Sequence, residues 1–210
     1  MNRPAASVSP LDFRRWPWLC LTICALTLCL QLLPGGRAWF VYDRTAIAGG
    51  DWWRLWTGHL VHFGWLHWLA DAGLWLVLGW VLHARHRHFY LLGLGFMPLF
   101  ISGVIFWAEP GLLRYGGLSA VNFGLLLYLA LQGWRRQWTD WFWPAVLAVY
   151  IAEIVFEFMQ DGSGGGLIRF DEPGIRIATG AHLAGAGYAL LAAGWVWFRR
   201  PRAGPCHGKV

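Results

Sequence analysis

The sequence predicts an all-α, polytopic membrane protein with six transmembrane helices and both termini in the cytoplasm. Three observations predict it. Of the 210 residues, 57% are hydrophobic and only 13% charged, where soluble domains run to roughly 25% charged. Six apolar runs can each cross a hydrocarbon core, which is about 30 Å thick and takes roughly 20 residues at 1.5 Å per residue. The basic residues, finally, collect in alternate connections between those runs.

The first run, 16–33, follows Arg14 and Arg15. It exceeds the roughly 7–15 residues of a signal-peptide core, so it reads as an uncleaved anchor. The others fall at 65–84, 89–107, 117–134, 141–159 and 177–198. The organisation is a cytoplasmic segment over 1–15, a membrane domain over 16–198 and a cytoplasmic tail over 199–210. Two substantial segments fall outside, 34–64 and 160–176, the second with Gly162, Gly164, Gly165 and Gly166 close together.

One set of connections carries eleven basic residues (Arg3, Arg14, Arg15, Arg85, Arg87, Arg135, Arg136, Arg199, Arg200, Arg202 and Lys209) against Asp12 and Asp140. The opposite set balances six arginines with six acids. That asymmetry is the positive-inside signal and puts the first set in the cytoplasm. The net charge of +6 is thus a matter of topology and not of nucleic-acid binding. Many of the 17 tryptophans sit at the ends of apolar runs, as interfacial belts do. Cys20, Cys24 and Cys29 lie in the first run and Cys206 in the tail, none of them in an outside loop where disulfides form.

Ionisable residues inside a span are costly and mark function. Here they are His67 and Asp71 in the second run, Glu153 and Glu157 in the fifth and His182 in the sixth, with Ser119 as a polar residue in the fourth. The second, fourth and sixth runs all end at cytoplasmic arginines, which gives a ruler. Ser119 stands about 24 Å above Arg135, His182 about 26 Å above Arg199, His67 about 27 Å and Asp71 about 21 Å above Arg85, at 1.5 Å per residue. The four share one layer of the outer half. Gly116, Gly117, Ala120 and Gly124 surround Ser119, and Ala178, Ala181, Gly185 and Ala189 flank His182. Small residues at helical spacing let two membrane helices approach closely. A serine in a membrane helix is usually a packing residue, so the shared layer and the paired small-residue faces are what raise the possibility of a nucleophile and its base.

These residues also carry a resemblance. "GGLSAVNFG" (116–124) resembles the nucleophile motif of the rhomboid intramembrane serine proteases, and "GAHLAGAGYA" (180–189) resembles their Ala-His-x-x-Gly motif. "WWRLWTGHLVHFGWLHWLAD" (52–71) is similar to the family's Trp-Arg loop and the His-x-x-x-Asn helix after it. The compact length and the "WWRLWTGH" lead-in look most like the bacterial rhombosortase branch, which the resemblance associates with substrates bearing a C-terminal Gly-Gly tag. It implies an intramembrane endopeptidase of the bacterial inner membrane, with the transmembrane segment of a protein as substrate and no metal or organic cofactor. Ser119 would be the nucleophile and His182 the base. Gly117, Leu118 and His67 would serve the oxyanion, and Trp53 and Arg54 would anchor the outer loop.

Three departures stand out. Ala120 replaces the family's glycine after the serine, Ala189 replaces a second glycine, and Asp71 replaces the asparagine four residues after His67. An ionised Asp71 would oppose an oxyanion, so the resemblance requires it to be protonated or paired, with His67 the nearest partner in sequence. Glu153 and Glu157 share a face of the helix that resembles the family's mobile gate, where Glu157 would face the site or else reach the interface. His59 and His62 precede the second run without a sulfur ligand and are not read as a metal site.

Overall fold

The structure is a computed structural model that describes residues 17–33, 35–137, 139, 141–159 and 178–199, apart from the side chains of 153, 154, 157 and 158. The Glu153 and Glu157 side chains, the Gly-rich 162–166 segment and both charged tails therefore lie outside the described residues. Along the chain, α1 (Trp18–Leu32) leads into short elements: α2 (Gly36–Phe40), β1 (Tyr42–Asp43), α3 (Arg44–Ala48), α4 (Arg54–Thr57) and a 3-10 turn at Gly58–Leu60. The long helices α5 (Trp65–Arg85) and α6 (Arg87–Ala108) follow, then β2 (Arg114–Tyr115), α7 (Ser119–Arg136), α8 (Phe142–Met159) and α9 (Thr179–Arg199).

Each of the six apolar runs coincides with one long helix to within two residues at either end. Helices α5, α6 and α9 are long and apolar enough to cross a membrane, and α1 and the first part of α8 are shorter apolar helices. Helix α7 is less apolar because it carries Ser119, Asn122, Gln132, Arg135 and Arg136. Exposure follows the rule for a lipid solvent. Leu69, Val77, Phe96, Val149 and Leu191 face outward while Thr27, Ser102 and Asn122 are buried. The chain is an integral multi-pass membrane protein.

Two packing devices position the site. The first is the crossing of α7 and α9. A Cβ on Gly185 would strike the Ala120 carbonyl, and one on Gly124 would come within 2.7 Å of the Gly185 carbonyl. Backbones this close need both glycines, and Ala181 and Ala189 are fully buried along the same seam. The second device repairs a break in α6. Pro98 has no N–H to give the Leu94 carbonyl, and an unsatisfied carbonyl inside a membrane costs several kcal/mol. The indole N–H of Trp56 takes its place at 3.0 Å. His59 Nε2 lies 3.1 Å from the Pro98 carbonyl and 3.0 Å from Ser102 Oγ. The outer loop is thereby fastened into the middle of a membrane helix.

Arg54 knits the rest of that loop. Buried to 7% exposure, it donates to the Ala38 and Val41 carbonyls and to Asp51 Oδ2, at 2.7, 3.0 and 2.9 Å. Trp53 donates to the Trp39 carbonyl at 3.1 Å. The all-helical expectation omits one small feature, the two-residue antiparallel ladder that pairs Tyr42 with Tyr115 and Asp43 with Arg114. Two residues are too few to show an alternating pattern in sequence. The ladder ties the outer loop to the strand that delivers the chain to Ser119.

Candidate active site

Helix α7 begins at Ser119, directly after a turn that only glycine makes easily. Gly117 has φ +117°, in the region L-residues avoid, and the turn sets Ser119 at the start of the helix, half-buried. From α9, His182 reaches it across the glycine seam, with Nε2 2.9 Å from Ser119 Oγ. The distance is within the reach of a nucleophile and its base. Phe123, one turn after Ser119, stacks on the His182 ring with centroids 4.5 Å apart and planes 17° from parallel. The imidazole is thus held between an aromatic face and the serine. Glu109, just past the end of α6, packs its carboxylate against Gly180 near the start of α9.

The opposite wall comes from α5. A Cβ on Gly117 would lie 2.6 Å from His67 Nε2 and 3.0 Å from Asp71 Oδ2, so both side chains press on the turn before Ser119. His67 Nε2 also contacts Asp71 Oδ2 at 3.2 Å, one helical turn away. Asn122 Nδ2 donates to the Asp71 main-chain carbonyl at 2.9 Å, which locks α7 to α5 at this level. Behind the turn, Tyr115 Oη lies 3.4 Å from His59 Nδ1 and donates to the Gly117 carbonyl at 3.4 Å.

Ser119, His182, His67, Asp71, Gly117 and Leu118 are therefore brought together, while Trp53 and Arg54 lie in the loop that supports them. Sequence reasoning missed three neighbours. Phe123 and Asn122 were legible in principle, since they stand four and three residues after Ser119 and share its helix face. His62 was set aside as preceding the span, yet its Nε2 lies 3.2 Å from Asp71 Oδ2, across the bends at Phe63 and Gly64 that lead into α5.

His62, His67 and Asp71 offer ligand atoms within 4.8 Å of one another. The Phe63 N–H donates to His67 Nδ1 at 3.3 Å, so a neutral His67 carries its proton on Nε2. That nitrogen then offers a donor and no lone pair, which suits an anion better than a cation.

Fold and site together define a class: multi-pass helical membrane proteins with a serine–histidine pair between two packed helices. Residues 49–200 match the rhomboid domain model, well over half of the chain. The protein belongs to the rhomboid family, a family of intramembrane protease type.

Proposed function

We propose that this chain is an intramembrane serine endopeptidase with Ser119 as nucleophile and His182 as general base, then acid. The observation that carries this reading is the 2.9 Å contact between Ser119 Oγ and His182 Nε2. His182 takes the hydroxyl proton as Ser119 attacks the scissile carbonyl and returns it to the leaving amine. The negative charge that develops on the carbonyl oxygen is met by backbone N–H groups at Gly117–Ser119, at the start of a helix whose dipole favours an anion. The His67 Nε2–H faces the same turn. Trp53 and Arg54 keep the outer loop in place and take no part in the chemistry.

The substrate is the transmembrane tail of another membrane-anchored protein, reaching Ser119 sideways between α5 and α8. The rhombosortase-like features favour a tail with a C-terminal Gly-Gly tag, because glycine weakens a helix and lets the strand extend. The enzyme then sits in the bacterial inner membrane with six crossings and both termini inside.

Co-expression of a tagged Gly-Gly substrate with wild type, Ser119→Ala and His182→Ala tests the proposal. Cleavage by wild type alone supports the dyad, and equal cleavage by all three removes it. A second reading, an inactive rhomboid that binds transmembrane helices, is favoured by one observation, the acidic Asp71 at the oxyanion wall. Co-purification of the uncut substrate with wild type and with Ser119→Ala alike, with no product from either, is its signature.

A further inference from the structure

The carboxylate of Asp71 lies against the turn that the proposed mechanism uses to hold an oxyanion, and the neighbouring ring nitrogens show how its charge is handled. His62 Nδ1 faces the Leu60 carbonyl at 3.2 Å. A carbonyl only accepts, so Nδ1 carries a proton. His62 Nε2 faces Asp71 Oδ2 at 3.2 Å; both atoms are enclosed and neither meets hydrogen-bond geometry among the described residues, and the one other polar atom recorded beside this carboxylate oxygen is His67 Nε2, also at 3.2 Å. Two bare lone pairs would repel at that distance, so one proton lies between them. It sits either on an imidazolium facing a carboxylate or on a carboxylic acid facing an imidazole. Both arrangements have zero net charge. His67 does not fill this place, because its own Nε2–H is a neutral donor that brings no charge.

We propose that His62 is a positioning residue that neutralises Asp71 by sharing one proton with it, so that the oxyanion wall carries no net negative charge. The inference rests on the serine endopeptidase reading and deepens it. The wall is built to hold the pair. His62 and Asp71 are 1% and 5% exposed, Arg37 Nη1 donates to the His62 carbonyl at 3.2 Å, and the His62 and His67 rings meet edge to face at 5.0 Å. Removing the imidazole leaves a lone carboxylate beside the reacting oxygen. At about 6 Å and an effective dielectric near 20, a like charge costs the rate about 100-fold.

The test is a double-mutant cycle on the full-length protein in detergent or liposomes, over wild type, His62→Gln, Asp71→Asn and the double variant. Two readouts are taken, the rate of cleavage of a Gly-Gly-tailed membrane substrate and the Tm. On the proposal, His62→Gln lowers kcat by 10- to 100-fold in the wild-type background, with KM within about 3-fold. In the Asp71→Asn background the same change costs less than about 3-fold. The Tm follows suit: His62→Gln lowers it, and adding Asp71→Asn raises it again, because the stranded buried charge is gone. Equal penalties for His62→Gln in both backgrounds overturn the proposal and leave His62 a packing residue. If wild type cleaves nothing, the Gly-Gly substrate is wrong or the protein is a binding protein, and the Tm cycle alone decides the pairing. If His62→Gln does not fold, recovery of folded protein in the double variant supports the pairing, and no recovery overturns it.

Discussion

At Gly117 two constraints meet, a φ of +117° and the His67 and Asp71 side chains against the missing Cβ. Gly117→Ala is expected to cost about 1–3 kcal/mol in backbone strain alone and to abolish cleavage, read by circular dichroism melting beside the substrate assay. Phe123→Ala removes the ring that orients His182, so kcat should fall about tenfold or more while the protein remains folded. Phe123→Tyr, which keeps the stack, should restore it. His59 gives a pH signature. Burial pushes its imidazole down to about 4, against the pull of the Pro98 and Gly117 carbonyls. The folded protein holds it neutral, whereas the unfolded chain protonates it near 6.5. Its contribution is whole above about 6.5 and is lost as pH falls toward 4, at up to about 1.4 kcal/mol per pH unit. Tm measured from pH 7 to pH 4.5 should drop less steeply in His59→Gln than in wild type. Ser119, His67 and His182 were legible in sequence because helical rise turns residue number into depth. His62 was not, because an extended connection has no such ruler.

Among the elements, the α7–α9 seam fixes the distance between Ser119 and His182. Gly185→Val should drive the helices apart and lose both cleavage and melting temperature. Gly187→Ala on the same helix, where a Cβ meets nothing within 4 Å, should be neutral. The small-residue stripes announced this seam because only backbone-to-backbone packing needs them. The repair of the Pro98 break was not announced. A proline shows where a carbonyl is freed, but not that Trp56 will find it from 38 residues away. Trp56→Phe keeps the ring and removes the donor, and should cost about 1–3 kcal/mol in a chemical or thermal melt. The β1–β2 ladder was hidden for a different reason, its length of two residues per strand.

For the whole molecule, helix positions were the most legible feature, since each apolar run must be about as long as the bilayer is thick. Topology rests on the arginine asymmetry and can be checked directly. In a variant lacking the native cysteines, Gly111→Cys should react with a membrane-impermeant maleimide in intact cells. His88→Cys should react only after permeabilisation. Both positions are exposed, so a reversed pattern would invert the orientation. The outward-facing leucines and valines, beside buried Ser102 and Asn122, also predict that the purified protein aggregates when detergent is diluted below its micelle threshold.

The contact between Ser119 and His182 joins residues 63 apart in the chain, and this separation has a temporal side. During synthesis α5, α6 and α7 leave the ribosome before α9, so the Gly117 turn, the α5 side chains against it and Ser119 can assemble while His182 is still unmade. On the endopeptidase reading, the nascent protein is harmless to the membrane segments inserting beside it. It acquires its cutting power only when α9 slides into the glycine seam, so the order of translation serves as a safety catch.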